Sequence, residues 1–316
     1  MKRIGNIYND IISIDNLYLA HNNACKGKSK QSGVIRFKKN LHANIKVLHQ
    51  ELMLCNYKSP EYKTFKIHEP KEREIFVLPY KDRVIQHAIL QKIGGMFVKT
   101  FTRNTYSCIR GRGLHSAMKS IKLALQNEKS TRYCLKIDIT KFYPSVEHNI
   151  LKSLLVRKIK DKQLIKLLFE IIDGESGIPI GNYISQYFGN FYLSYFDHWL
   201  KEELKIKHVW RYCDDIVILA DNKDYLHQLF FKIRDYLKTE LNLEVKGNYQ
   251  VFPVSARGID FLGYKSYHTH VLIRKSIKKN YARMLKYNPN KESIASYNGW
   301  LCHANCINLK RKLLKQ

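Results

Sequence analysis

Three aspartates carry the chemistry that this sequence could perform. Asp214 and Asp215 are adjacent in Arg211-Tyr212-Cys213-Asp214-Asp215-Ile216-Val217-Ile218-Leu219, between two apolar runs. The runs predict strands over His208 to Cys213 and Ile216 to Ala220. The acidic pair then lies at the tip of a tight hairpin, where turns favour Asp. A plain turn is the simplest reading, and two features oppose it. Neither Asp is followed by the Gly that two-residue hairpin turns prefer. Adjacent like charges also repel unless a cation neutralises them. Leu135-Lys136-Ile137-Asp138-Ile139-Thr140-Lys141-Phe142-Tyr143-Pro144 reads as an apolar strand ending in Asp138. An Asp at a strand tip beside an Asp-Asp hairpin makes a site for two divalent cations. Such a site activates an attacking hydroxyl and stabilises a leaving oxygen in phosphoryl transfer.

Other elements must position these side chains. Ile11, Ile14, Leu17 and Leu19 predict a short helix, and Leu41, Ile45, Leu48 and Leu52 have helical spacing. Between them Lys26, Lys28 and Lys30 accompany Gly27 and Gly33 in a predicted mobile loop, which reads equally as a solvated face or as a functional basic segment. Residues 70–79 predict a hairpin or strand carrying cations, and Tyr80 opens a helix. Ser107-Cys108-Ile109-Arg110-Gly111-Arg112-Gly113-Leu114-His115 is a basic loop before a helix, and Arg110 and Arg112 suit a phosphate backbone. It lacks the Gly-Lys-Ser/Thr ending of a nucleotide-binding P-loop. Residues 148–172 predict two amphipathic helices. Gly177-Ile178-Pro179-Ile180-Gly181-Asn182-Tyr183-Ile184-Ser185-Gln186 reads as a loop feeding an aromatic helix through Trp199. Leu226, Leu229, Phe230, Ile233 and Leu237 mark another amphipathic helix. Cys302 and Cys306, with His303 between, read as packed thiols on one helix face rather than half a zinc site.

Aromatic-x-Asp-Asp, with an upstream Asp followed five residues later by an aromatic, resembles the palm of a reverse transcriptase. Tyr80-Lys81-Asp82-Arg83-Val84-Ile85-Gln86 is similar to the Asp-Arg-Val-x-Gln segment in the fingers of group II intron and related bacterial reverse transcriptases. That resemblance makes Arg73 the arginine that grips the incoming triphosphate, a task suited to a bidentate guanidinium. Lys71 accompanies it, and a surface cation is the plain alternative for both. The resemblance places Tyr143 beneath the sugar of the incoming nucleotide, where its ring excludes a 2′-hydroxyl; an ordinary core tyrosine is the alternative. Most reverse transcriptases read Gly-x-Pro-Gln-Gly and then Ser-Pro. Here Ile180 replaces the Gln, and Gln186 follows Ser185. Apolar-Gly-Asn-x-x-Ser-Gln resembles the enzymes of diversity-generating retroelements, which implies a dNTP-contacting role for Ile180 and Gly181 and a fidelity role for Ile180. Leu241-Asn242-Leu243-Glu244-Val245-Lys246 is similar to the palm segment whose lysine approaches the leaving pyrophosphate. Lys246 is thus a candidate general acid or a strand-end surface lysine. Ile259-Asp260-Phe261-Leu262-Gly263-Tyr264 resembles the primer-grip hairpin. Residues 296–305 look like the thumb of the same retroelement family, and Arg274 and Lys275 are assigned to nucleic acid.

Composition agrees with a polyanion partner. The chain has 316 residues, enough for about two domains, or one with subdomains. It is 45% hydrophobic, so it can build a core. Lys and Arg number 55 against 27 Asp and Glu, a formal charge of +28. Nucleic acid is the first candidate partner and an anionic membrane the second. No apolar run approaches the roughly 18 residues of a spanning helix. The start lacks the apolar run of a signal peptide. Seven irregularly spaced cysteines suggest reduced thiols in a cytosol. No internal repeat is visible.

The expected fold is α+β: a right-hand polymerase with an antiparallel, ferredoxin-like palm sheet and mostly helical fingers and thumb. Residues 1–130 would form an N-terminal extension and fingers, 131–268 the palm with a helical fingers insertion at about 147–178, and 269–316 the thumb. No RNase H, endonuclease or maturase segment is expected beyond the thumb. The resemblance implies two Mg²⁺ ions held by Asp138 and Asp214 with the Ile139 carbonyl, Asp215 completing the charge cluster. The primer 3′-hydroxyl would attack the α-phosphate of a dNTP. It further implies copying of a template-repeat RNA into error-prone, adenine-mutagenised cDNA. The partners would be the template RNA, the primer–template duplex and a small basic accessory variability protein, itself oligomeric. The setting would be the cytoplasm of a bacterium, with the gene bacterial or phage-borne. A retron or group II intron-type reverse transcriptase, and a non-catalytic RNA-binding protein of polymerase fold, are the alternatives.

Overall fold

In chain order, α1 (Tyr8–Ile12), α2 (Ile14–Ala24), α3 (Ser32–Lys39) and α4 (Leu41–Met53) lead into the hairpin β1 (Lys63–Ile67) and β2 (Arg73–Val77). The helix α5 (Tyr80–Thr100), β3 (Thr105–Tyr106), α6 (Leu114–Ala124) and β4 (Tyr133–Asp138) come next. Then follow α7 (His148–Lys158), α8 (Lys162–Asp173), α9 (Tyr183–Tyr192) and α10 (Ser194–His198). β5 (His208–Tyr212), β6 (Asp215–Ala220), α11 (Lys223–Leu241), β7 (Gln250–Pro253) and α12 (Val254–Arg257) precede β8 (Ile259–Phe261), β9 (Tyr264–Ser266) and β10 (Val271–Ile273). The helices α13 (Lys275–Tyr287), α14 (Lys291–Leu301) and α15 (Ile307–Leu314) end the series. This computed structural model describes residues 3–68 and 72–314.

The chain divides into two compact units. One comprises Met1–Arg103, Thr140–Glu203 and Tyr236–Glu244, and the other Asn104–Ile139, Leu204–Asp235 and Val245–Gln316. The second holds a five-stranded sheet of order β3-β5-β6-β4-β7. β4 is flanked by β6 and β7, both antiparallel to it. Ile216, Val217, Ile218 and Leu219 are all buried along β6, the mark of a sheet covered on both faces. Ala117, Met118 and Ile121 of α6 pack with Cys134, Trp210, Val217 and Phe252 of the strands. A three-stranded sheet β10-β9-β8 adds Ile259, Phe261 and Tyr264 to the same core. Among the described residues of the first unit, the antiparallel pair β1–β2 supplies the strands and the other named elements are helices. Its core includes Ile11, Leu17, Leu48, Ile85, Ile89 and Phe97.

The mixed α+β architecture matches the expected class, and three local expectations change. The sheet is not wholly antiparallel, because β3 pairs with β5 in parallel. β3 is a two-residue edge strand far from β5 in sequence, so no tight turn dictates its direction. The apolar positions from Ile11 to Leu19 form two helices rather than one. Ser13 breaks them, its Oγ accepting from Asn16 N at 3.4 Å to cap α2. Ile14 and Leu19 then face outward, 38% and 52% exposed. Cys302 and Cys306 do not share a helix face. Cys302 is exposed at the end of α14, and Cys306 is buried ahead of α15. Among the described residues no helix is long and apolar enough to cross a membrane.

Candidate active site

Asp138 closes β4 and Asp215 opens β6, directly opposite it in the ladder. Opposed residues share a face of a sheet. Tyr212 pairs with Asp215, which leaves Cys213 and Asp214 as a two-residue turn. The turn has no glycine. Cys213 takes the left-handed backbone instead, at φ 54°, a conformation that costs a side-chain-bearing residue roughly 1–2 kcal/mol. The buried strands on either side hold it there, and so does Arg211. This arginine is only 1% exposed, and its Nη1 donates to Cys213 O at 2.9 Å. Nothing in the sequence assigns Arg211 a role. A lone cation within an apolar strand was the available signal.

Lys246 completes the cluster. Its backbone N donates to Asp138 O at 2.9 Å, and its ammonium forms an ion pair with Asp138 Oδ2. Val245 faces Ile139 through an isolated antiparallel bridge, so this segment makes a single bridge and no strand. Burial pushes the Asp214 carboxyl up to about 6, with repulsion from Asp215 and Asp138 adding to it and Lys246 opposing it. Asp215 is raised as well, burial first, with Lys136 working against the shift. Carboxylates held together against their repulsion attract cations. Among the described residues no three acidic, histidine or cysteine side chains form a ready-made metal cage. By donor type, the three carboxylates and the Ile139 carbonyl are an all-oxygen set, which suits a hard divalent cation such as Mg²⁺.

In the same unit the basic loop closes on itself. Ser107 N donates to Arg112 O at 3.0 Å and Arg112 N to Ile109 O at 2.9 Å. Ile109 is buried as its anchor, Arg110 is exposed and Arg112 half-buried. Ser107 Oγ lies 3.2 Å from Cys108 Sγ and 3.0 Å from Cys213 Sγ, which joins this loop to the aspartate turn. The hydrogen bond with Cys213 brings the Cys108 thiol down to about 6. A cleft of about 730 Å³ is lined by Lys136, Arg257, Lys265, Arg274, Lys275 and Lys278, with Asp260 among them. Arg274 Nε and Nη2 reach Asp260 Oδ1 at 2.7 and 2.6 Å, so its guanidinium is held in place. Lys275 is exposed at the start of α13. Cations lining a groove form a track for phosphates.

The remaining predicted residues lie in the first unit. Phe76 N donates to Ile180 O at 2.8 Å, which seats the loop of residues 177–182 on β2. Ile178 N donates to Tyr143 O at 3.0 Å and seats its other end. The two glycines are explained by these approaches. A Cβ on Gly177 (φ 64°) would lie 2.5 Å from Tyr143 O, and one on Gly181 (φ 127°) 2.2 Å from Phe76 O. Ile180 and Tyr143 are half-buried, and Arg73 is exposed at the start of β2. Lys71 lies outside the described residues. The structure adds hydrogen bonds here that residue order does not reveal. Gln86 Oε1 accepts from Ile184 N at 3.2 Å at the start of α9, and Asn182 Nδ2 donates to Tyr62 OH at 2.8 Å. Asp82 accepts from Tyr57 OH at 2.9 Å, and burial raises its pKa. Buried Asp82 and Gln86 stand four apart on an otherwise apolar helix face, and that spacing was the signal.

Residues 63–266 match the family described as reverse transcriptase (RNA-dependent DNA polymerase). Protein YkfC of Escherichia coli (strain K12) is 22% identical over 302 residues, covering 80% of this chain and 77% of YkfC. Nuclear intron maturase 4, mitochondrial, of Arabidopsis thaliana is 29% identical over 141 residues, covering 40% of this chain and 17% of the maturase. The fold is similar to that of telomerase from Candida albicans, solved with a TWJ fragment of telomeric RNA. The TM-score is 0.52 at 11% identity, over 75% of this chain and 52% of that one. The chain thus spans about half of that structure and a small part of the maturase.

Proposed function

The chain belongs to the reverse transcriptase (RNA-dependent DNA polymerase) family, and from that premise we propose that it copies the template-repeat RNA of a diversity-generating retroelement into error-prone cDNA. It is an RNA-directed DNA polymerase by family and fold. The retroelement reading rests on one observation above the rest. Ile180 occupies a loop whose backbone is pinned at both ends, and the sequence resemblance matches its apolar side chain to the position where most reverse transcriptases carry a hydrogen-bonding glutamine.

In this reading Asp138, Asp214 and Asp215 supply the oxygens that would hold two Mg²⁺ ions, helped by the Ile139 carbonyl. Such ions, when bound, supply Lewis acidity for in-line displacement at a phosphate. Lys246 neutralises Asp138 and stands ready to give a proton to the departing pyrophosphate. Arg73, with Lys71, grips the triphosphate, while Tyr143 bars a 2′-hydroxyl and Gly181 lets the backbone approach. Arg110, Arg112, Arg274 and Lys275 follow the phosphates of the primer–template duplex. Fingers within residues 1–130 and about 147–178, palm across the rest of 131–268 and thumb from 269 onward complete the assignment. A small basic accessory protein is the expected partner, and a bacterial cytoplasm the setting.

Primer extension on a defined RNA template, followed by sequencing of the cDNA, tests the proposal with and without that partner. Errors concentrated opposite template adenines are expected. Faithful copying would overturn the retroelement reading in favour of a group II intron-type enzyme, the reading that the maturase relative supports. RNA binding without extension would leave a non-catalytic polymerase fold.

A further inference from the structure

We propose that Cys108 and Cys213 form an oxidation site, at which a peroxide or a low-molecular-weight disulfide joins the two thiols and ties the catalytic turn to the arginine loop. The β3–β5 pairing sets the two segments side by side, with Tyr106 opposite Tyr212. Each chain leaves that pairing through a left-handed residue that is not glycine: Ser107 at φ 82° and Cys108 at 56° on one side, Cys213 at 54° on the other. The turns bring both sulfurs to one hydroxyl, Ser107 Oγ, at 3.2 and 3.0 Å. Cys108 is exposed to a soluble oxidant, and Cys213 is partly exposed. An accessible thiol with a second one poised beside it is the arrangement that oxidises to a disulfide rather than to higher acids.

With a peroxide the Cys108 thiolate attacks one oxygen. The O–O bond breaks, and with a proton the second oxygen leaves as water, so that Cys108 becomes a sulfenic acid. Cys213 sulfur then attacks that sulfur. The S–O bond breaks, a second water leaves with the Cys213 proton, and the S–S bond forms. Two thiols have lost two electrons and two protons, and one peroxide has become two waters. With a small disulfide, two exchange steps give the same bond and release two small thiols.

The bond would draw together two sulfurs that now meet on the Ser107 hydroxyl. Cys213 is the residue before Asp214, so the carboxylate would shift with it. A displacement of about 1 Å at a reacting centre costs on the order of 100-fold in rate. A thiol reductant would reverse it.

The test uses the full chain, reduced and then treated with hydrogen peroxide or oxidised glutathione. Trypsin should release residues 104–110 joined to residues 212–223, lighter by two hydrogens than the separate peptides. Primer extension should fall by about 100-fold and recover with dithiothreitol. Cys108→Ser should extend primers normally and resist the oxidant. Cys302→Ser should remain as sensitive as the unaltered chain, because Cys302, the other exposed thiol, donates to Gly299 O at the end of its own helix. Oxidised protein without the joined peptides would overturn the proposal, and that readout needs no polymerase activity. Equal inactivation of Cys108→Ser, or a joined pair with unchanged extension, would overturn the lock.

Discussion

Asp214→Asn keeps the side-chain volume and removes a negative oxygen, so it separates chemistry from folding. Primer extension should vanish while RNA binding largely persists, since phosphate contacts dominate affinity. Stability should move the other way. The Asp214 carboxyl sits at about 6 in the folded chain, against about 3.9 when unfolded. The folded state therefore holds the proton more tightly, and stability falls as pH rises from about 4 through 6, then stays reduced. Asn carries no such penalty. In chelator at pH 7, melting should show Asp214→Asn more stable by about 1–2 kcal/mol after solvent screening is discounted, the gap closing toward pH 4. Tyr143→Ala should raise ribonucleotide over deoxynucleotide incorporation in single-nucleotide extension, and an unchanged ratio would remove Tyr143 as the sugar gate. Ile180→Gln restores a group able to hydrogen-bond the incoming nucleotide. Such a bond contributes about 0.5–1.5 kcal/mol, so misincorporation should drop severalfold. Equal error frequencies in sequenced cDNA would rule the side chain out as a fidelity determinant.

At the scale of elements, the loop of residues 177–182 matters through its backbone as much as through Ile180. Gly181→Ala meets two penalties at once, a φ of 127° and a Cβ 2.2 Å from Phe76 O. The loop must leave β2, and with it the Phe76 N to Ile180 O bond of 2.8 Å. Extension should fall at least tenfold, while thermal melting changes by no more than about 1–3 kcal/mol. Gly95→Ala is the matched control. Gly95 lies within α5 with nothing within 4 Å of an added Cβ. Alanine there should stabilise the chain by about 0.5–1 kcal/mol and leave extension unchanged.

Across the whole molecule, charge should govern affinity for nucleic acid. The chain carries a formal +28, and from Val271 onward Glu292 is the only acidic residue. Binding to an RNA–DNA duplex should weaken linearly in log affinity against log salt. If Lys275 and Lys278 touch phosphates from the cation-lined cleft, each alanine substitution should reduce the magnitude of that slope by about 1. Filter binding or fluorescence anisotropy across a salt series reads this directly. An unchanged slope in both variants would remove the cleft from the duplex path.

Local chemistry was legible from the residues alone. Strand β4 ending in Asp138, the two-strand hairpin around Asp214, the amphipathic helices and the glycine-bounded loop all follow from apolar periodicity and from glycine placement, which neighbours in sequence determine. Long-range partners were not legible. Nothing in the order of residues sets Asp215 rather than Asp214 opposite Asp138, since one residue of register exchanges the faces of a strand. Nothing in it pairs Lys246 with Asp138, buries Arg211 under the Cys213 carbonyl, or sets Ser107 between two thiols 105 positions apart in the chain. Those contacts join segments distant in sequence. Tertiary packing alone decides them, because burial, unlike periodicity, depends on which surfaces meet.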